Sequence, residues 1–526
     1  MQRILNKIAT VPFRVLAKIG RLLFHRVGIM VVIILMQLAL YGAAMVALRS
    51  SEFYSVFNLV MLVLSVVAVF WIVGDESNPG YKIGWIIIVL AFVPFGGLAY
   101  LLLGGNHLSR RNQQKLRSME RRVAQELGGE CNRSDSLKNL LGEDAGRMAR
   151  YLEQTSSCPV YGNTQTKFYP LGDVCYEDIL SALRAAEKYV FIEYFIIEEG
   201  VLWNSVLEIL KEKVAAGVEV RVIYDDIGSI FTLPGDYPRR LEKMGIKCRV
   251  FNRIVPLISL RQNNRDHRKY MIIDGKVAFT GGINMADEYI NAKERFGHWK
   301  DSAIRLEGDA VWSMTVSFLT MWDFTVSQEE SFAAFRPAPA HGGAEGYVQP
   351  YHDCPWDNEP VGQTVYLNLI NRAKKYVYIT TPYLVIDYSL NMALTSAAKS
   401  GVDVRIITPH IPDKKTVFEV TRAYYKELLA AGVKIYEYEP GFIHSKNFVV
   451  DDLYATVGTV NMDYRSMFLH FENGVLLYDT PSVADIKADF LDTQNKSIQV
   501  TYEDCLKVPL YRRMFRGILR VFATLL

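Results

Sequence analysis

One pattern occurs twice in this chain at the same internal spacing, and it constrains the fold more than any other feature. His267-Arg268-Lys269 leads into the apolar run Tyr270–Ile273, then Asp274, then Gly281-Gly282-Ile283-Asn284. His444-Ser445-Lys446 leads in the same register into Asn447–Val450, Asp451 and Gly458-Thr459-Val460-Asn461. In an extended strand, residues two apart share a face. His267 with Lys269, and His444 with Lys446, are therefore expected to project together, with each apolar run carrying its strand into a core. The glycines suit tight returns that bring Asn284 and Asn461 back towards the lysine ends. Two imidazoles, two ammonium groups and two amides converging make an anion site, and phosphate is the anion they suit best.

The duplication is wider than the motif. Ala186–Ile192 corresponds to Ala373–Ile379, Ala216–Ile223 to Ser400–Ile407, and Met244–Lys247 to Ala431–Lys434. Helical stretches alternate with apolar, β-branched strands, an α/β pattern with a largely buried sheet. Two lobes, 146–335 and 345–505, are expected to pack about a pseudo-twofold axis, separated by the Pro/Gly linker Phe335–Gly343. Residues 106–145 are polar and read as a helical connector.

Two H-x-K-x4-D motifs, each followed by G-[GST]-x-N, resemble the phospholipase D superfamily. With the hydrophobic N-terminus, the chain is similar in particular to bacterial cardiolipin synthases, and the resemblance covers most of its length. It implies two phospholipase D-like lobes behind an N-terminal transmembrane helical region. It also implies that His267, Lys269, Asp274, His444, Lys446 and Asp451 form the catalytic motifs.

The chemistry then follows from one His of each lobe on opposite sides of a phosphodiester. One neutral imidazole attacks phosphorus. The other, protonated, serves the leaving alkoxide and then takes a proton from the incoming alcohol. Lys269, Lys446, Asn284 and Asn461 would hold the non-bridging oxygens, so neither metal nor cofactor is expected. The order usual in the family makes His267 the nucleophile and His444 the acid/base; the residues alone leave that open. Each His needs an acid to fix its tautomer, and the acids in the family's positions are Asp301 and Glu472. Asp274 and Asp451, although part of the motif, lie at the far end of the strand and read as structural. Glu193-Tyr194, Pro382-Tyr383 and Ser229 are candidates for the pocket wall, whereas His298, His352, His410 and His470 lack the lysine spacing and read as non-catalytic.

Half of the residues are hydrophobic, and the excess lies before residue 105. Residues 1–26 mix apolar groups with Arg3, Lys7, Arg14, Lys18 and Arg21, a basic amphipathic segment for a membrane surface. Residues 27–105 hold three apolar runs: Val27–Leu48, Phe53–Val73, and Ile83–Leu103, interrupted by Pro94 and Gly96-Gly97. The last two read as a hairpin about the turn Gly74–Gly80. Basic residues flank the membrane region on both sides, which asks for an even number of crossings; either one run is re-entrant or interfacial, or the charge rule fails at one end. The six scattered cysteines, without C-x-x-C, fit a reducing compartment. The expected location is a bacterial plasma membrane, multi-pass, with the lobes cytoplasmic. Residues 506–526 form a second basic amphipathic segment, and Val255–Leu260 is an apolar run that could be core or dip into lipid.

A net charge of only +3, with basic clusters beside the membrane segments rather than on the lobes, argues against nucleic acid and for an anionic phospholipid. The resemblance implies a transferase that joins two phosphatidylglycerols into cardiolipin and glycerol. A phospholipase D-type hydrolase, an anchored nuclease and a non-catalytic scaffold are the other readings. Oligomeric state is not legible.

Overall fold

A computed structural model describes residues 53–92, 96–101, 110–130, 134–254, 263–326, 330–339 and 342–525, with isolated positions between 39 and 49. These residues fall into one unit of residues up to His107 together with Arg253–Asn263, and a second of Leu108–Asn252 and Asn264–Leu526 that holds both lobes. The surface segment 1–26 lies outside the described residues, as do almost all of Val27–Leu48 and the whole run Val255–Leu260.

In the N-terminal unit, Tyr54–Gly74 is a 21-residue helix, the one helix among the described residues long and apolar enough to cross a membrane. Leu59, Val63, Val67 and Phe70 stand exposed, while small Ser65 and Ala68 are buried. A Cβ on Gly97 would stand 2.7 Å from Ser65 Cα, and one on Gly96 2.4 Å from Val89 Cα. Glycine therefore permits the close approach of these segments. The run Ile83–Leu103 is not one helix. Helix Pro79–Ala91 stops after 13 residues, and the chain resumes as the short turn Gly96–Ala99. Pro94 falls in the break, and proline lacks the N–H that would continue the ladder.

The first lobe contributes β1 (Thr164–Tyr169), β2 (Tyr189–Tyr194), β3 (Glu219–Asp225), β4 (Lys247–Phe251), β5 (Arg265–Asp266), β6 (Tyr270–Ile273), β7 (Val277–Gly281), β8 (His298–Lys300) and β9 (Ala303–Gly308). Seven of them form a mixed sheet in the order β1-β9-β7-β6-β2-β3-β4. The second lobe contributes β10 (Tyr347–Asp353), β11 (Tyr376–Thr380), β12 (Leu384–Val385), β13 (Asp403–Pro409), β14 (Lys434–Tyr438), β15 (Gly441–Ile443), β16 (Asn447–Val450), β17 (Tyr454–Gly458), β18 (Met462–Asp463), β19 (His470–Tyr478) and β20 (Ser497–Val500). Its sheet repeats the order as β10-β19-β17-β16-β11-β13-β14, and β20 adds an antiparallel edge. In each lobe the three crossover strands are parallel, and the motif strand runs antiparallel to the first of them.

β12 and β18 pair within the second lobe, and two other short pairings tie the lobes together. β5 pairs with β19 and β8 pairs with β15, so each lobe lends a strand to the other. Helix Val311–Val326 is buried on nearly every side, as its apolar sequence requires. One apolar cluster runs through both lobes, from Phe191 and Phe318 to Tyr378 and Phe490. Helix Arg110–Leu127 buries Leu116, Val123 and Leu127 and packs on helix Val311–Val326. Helix Glu143–Ser156 falls mostly in the first-lobe range 146–335 by sequence, yet it packs on the second lobe. Gln349 donates to Ala149 O at 3.0 Å and to Cys158 O at 2.7 Å. A buried amide that needs carbonyl acceptors finds them there.

Candidate active site

The motif histidines do not sit within strands as the i, i+2 spacing predicts. His267–Lys269 fills the gap between β5 and β6, and His444–Lys446 the gap between β15 and β16. Each gap is where the chain stops pairing with the opposite lobe and enters its own sheet. His267 N–H donates to Phe471 O at 2.9 Å, and His444 N–H donates to Lys300 O at 2.7 Å. Both histidines are therefore fixed by the seam between the lobes, and both are buried.

The acids come from across that seam. His267 Nδ1–H donates to Glu472 of the second lobe, 3.0 Å from each carboxylate oxygen. His444 Nδ1–H donates to Asp301 Oδ2 of the first lobe at 2.6 Å. Carboxylates can only accept here, so the tautomer is set and both Nε2 lone pairs are left free. Thr459 Oγ1 also donates to Glu472, and Ser302 N–H donates to Asp301 Oδ1 at 2.8 Å.

Both lysines are buried beside their histidines. Lys269 Nζ donates to His267 O at 2.8 Å, and Lys446 Nζ donates to His444 O and lies 2.9 Å from His444 Nδ1. Burial lowers Lys269 to about 7 and Lys446 to about 8, although Glu472 and Asp301 pull the other way. Burial, reinforced by the charge of Lys446, lowers His444 to about 4. Burial, then Lys269, Lys446 and His444, hold His267 well below the imidazole range. Burial alone would raise Asp301, but its interactions with His444 and Lys446 outweigh it and lower the carboxyl. Four basic groups pressed together out of water favour the arrival of an anion, which would raise all four.

The other predicted positions divide. Asp274 and Asp451, grouped with the catalytic set by the motif, lie at the opposite end of the strand in left-handed turns, φ 53° and 54°. Asp274 accepts from the N–H groups of Glu187, Lys188 and Tyr189 at 2.7–2.8 Å. Asp451 accepts from Lys374, Lys375 and Tyr376 at 2.6–2.8 Å. They fasten the turn to the first parallel strand of each lobe and do not face the histidines. Asn284 is turned into the protein: its oxygen accepts from Ile196 N–H at 3.1 Å and its amide donates to Tyr289 OH at 2.7 Å. Asn461 is buried with its side-chain oxygen unpartnered. Glu193 and Ser229 are committed elsewhere, Glu193 to Arg268 and Ser229 to Ile197 N–H at 3.1 Å. Tyr383 OH donates to Asp413 at 2.6 Å.

Residues 179–303 and 366–493 match the family described as cardiolipin synthase, PLD-like domain, and residues 63–105 match the phospholipase D-nuclease N-terminal family. A cardiolipin synthase of Alkalihalophilus pseudofirmus is 32% identical over 90% of this chain and 93% of its own length. Cardiolipin synthase 2 of Bacillus anthracis is 35% identical over 86% and 88%. The chain belongs to the cardiolipin synthase family of the phospholipase D superfamily. An uncharacterized protein of Streptococcus mutans is 43% identical over 87% of this chain and 99% of its own. Phosphatidylserine synthase of Haemophilus influenzae shares the fold, with a TM-score of 0.57 at 15% identity, covering 73% of this chain and all of that one.

In this cardiolipin synthase family member, His470, set aside from the sequence as non-catalytic, stands beside the first motif. Its Nδ1 lies 3.7 Å from Glu472 Oε1 and its ring 5.6 Å from that of His267, with both nitrogens unpartnered and the residue buried. Asn473 and Ser302 were missed. Asn473 Oδ1 accepts from Lys269 N–H at 3.2 Å, and Ser302 Oγ donates to Asn447 Oδ1 at 3.0 Å. Each follows its acid directly, so adjacency to Glu472 and Asp301 was the available signal. Tyr289, Trp299 and Phe442 stand around His444, with ring centroids 5.5, 5.6 and 5.8 Å away.

Proposed function

We propose that this membrane enzyme joins two phosphatidylglycerol molecules into cardiolipin and releases glycerol, using one histidine from each lobe. The observation that carries the reading is the reciprocal pairing of His267 with Glu472 and His444 with Asp301. It leaves two oriented Nε2 atoms, buried lysines and no surplus anion in one place, which suits an in-line displacement at a phosphodiester.

In the first half, His267 Nε2 attacks phosphorus. The N–P bond forms as the bond to the glycerol oxygen breaks, and His444 gives its proton to that oxygen. In the second half, His444 takes the proton from a glycerol hydroxyl of the second phosphatidylglycerol. That oxygen attacks phosphorus and the N–P bond breaks. An empty site holds both histidines neutral. The entering phosphodiester offsets the lysine charges and lets His444 take up its proton. Lys269 and Lys446 hold the oxygens as charge develops. Asn461, with its free oxygen, is better placed for a headgroup than Asn284. No residue here is assigned to a metal or cofactor.

Full-length protein in detergent, given phosphatidylglycerol alone, is expected to form cardiolipin and free glycerol in equal amounts. Acid quenching is expected to destroy a labelled phospho-enzyme that alkali preserves, and His267→Ala to abolish it. Phosphatidic acid as the sole lipid product would replace this reading with a hydrolase.

A further inference from the structure

The C-terminal helix, Leu510–Val521, ties three of its four arginines, of which Arg516 is buried, to a neighbouring helix. Arg516 Nε donates to Glu419 at 2.7 Å and Arg512 Nε at 3.2 Å. Arg520 donates to Glu427 at 3.2 Å and lies over the Tyr424 ring, 4.3 Å from its centre. These partners all belong to helix Lys415–Ala430. With Arg512, Arg516 and Arg520 held there, the helix leaves Leu510, Tyr511, Met514, Phe515, Ile518 and Val521 uncovered, Tyr511 at 74% and Phe515 at 50% exposure. The ordinary amphipathic arrangement on a soluble domain is the reverse, apolar side in and charged side out.

We infer that this apolar face is the part of the catalytic unit that enters the interfacial layer of an anionic bilayer. A bilayer is the occupant that fits. The segment from Lys507 to the end carries one lysine, four arginines and no acid. Arg513 is exposed on the same helix with no carboxylate partner among the described residues. A large apolar stripe edged by unneutralised positive charge matches acyl chains below and anionic headgroups above. The same chain carries Tyr54–Gly74, which has the length and composition to cross a bilayer. The face is also linked to the second motif. Helix Lys415–Ala430 packs on β12, β12 pairs with β18, and β18 begins directly after Asn461. The inference concerns how the enzyme meets lipid and does not depend on which lipid reacts.

The test uses the full-length protein in vesicles of phosphatidylglycerol and phosphatidylcholine, with a photo-crosslinking phenylalanine analogue at position 515. The control places it at Val174, which is 53% exposed on the first lobe. The expected result is a phospholipid adduct at 515 in about tenfold greater yield than at 174. Because the face that enters the layer is apolar, roughly 0.5 M salt should leave most of that yield in place. Adducts to a second protein copy, equal yields at both positions, or loss of the adduct in salt would each overturn the inference. Met514→Glu and Phe515→Glu should lower cardiolipin formation from vesicles about tenfold. Turnover of a short-chain phosphatidylglycerol dissolved as monomers should stay at the wild-type rate, which shows that the variants are folded. If the wild type makes no cardiolipin from either substrate, the proposed function fails, while the crosslinking result still stands or falls by itself.

Discussion

His267 in the first lobe hydrogen-bonds Glu472 in the second, 205 positions along the chain, at 3.0 Å. His444 and Asp301 repeat the relationship in the opposite direction at 2.6 Å. Each motif histidine takes its acid from the other lobe, so docking of the lobes is a condition of the chemistry.

Glu472→Gln and Asp301→Asn keep the shape of each side chain but place an N–H against the imidazole in one amide orientation and weaken the charge support in the other. Each variant should lose roughly 100- to 10,000-fold in turnover while folding normally, as buried orienting acids do in other histidine-based sites. Circular dichroism and the rate of cardiolipin formation check both halves. A loss of less than about threefold would remove the cross-lobe pairs from the mechanism.

Asp274→Asn and Asp451→Asn should damage stability rather than chemistry. Asparagine tolerates the left-handed turn but loses a charged acceptor for the N–H groups each carboxylate now holds. The expected cost is about 1–3 kcal/mol. Turnover per folded molecule at low temperature should stay near wild type. A large drop in turnover without a drop in melting temperature would place these acids in the reaction instead.

The empty site sets a sign for pH. His444 and His470 are lowered to about 4 by burial, so between their ordinary value near 6.5 and about 4 the unfolded chain binds more protons than the folded one. Stability therefore falls as pH falls through that window. Lys269 and Lys446, lowered to about 7 and about 8, push the same way between those values and 10.5, so stability there rises with pH. The melting temperature of substrate-free protein should climb from pH 4 to 6.5, and His470→Ala should flatten part of that climb. A melting temperature that falls over this range in the wild type would contradict the burial argument.

Gly97→Leu should break the contact in the N-terminal unit. A Cβ there meets Ser65 backbone at 2.7–2.8 Å, which no side-chain movement relieves. Reduced yield of membrane-inserted protein is the expected outcome, read by fractionation, with the Ser65→Gly, Gly97→Ala double variant recovering part of it.

Much of the site was legible because its parts are local. The His, Lys and Asp spacing is a property of one short segment, and its repetition forced the reading of two lobes. The apolar run Phe53–Val73 announced a helix for the same reason, since composition alone decides whether about twenty residues can lie in lipid. Less legible was where those segments stop being regular. The i, i+2 rule put His267 and His444 inside strands, whereas each occupies the irregular step between a strand of the opposite lobe and one of its own. The interruption of Ile83–Leu103 was legible from Pro94 and Gly96-Gly97, but not that its first helix would end at Ala91.

The chain's own order of residues determined that there would be two similar sheets, two imidazole–ammonium pairs and a hydrophobic anchor. Folding in three dimensions decided which acid serves which histidine, that His470 stands beside His267, that Asn284 is turned away, and that three C-terminal arginines are held by the carboxylates of a neighbouring helix. The reason is one of range. Period and propensity act over a few residues, while strand exchange between lobes joins groups far apart in sequence that no local pattern links.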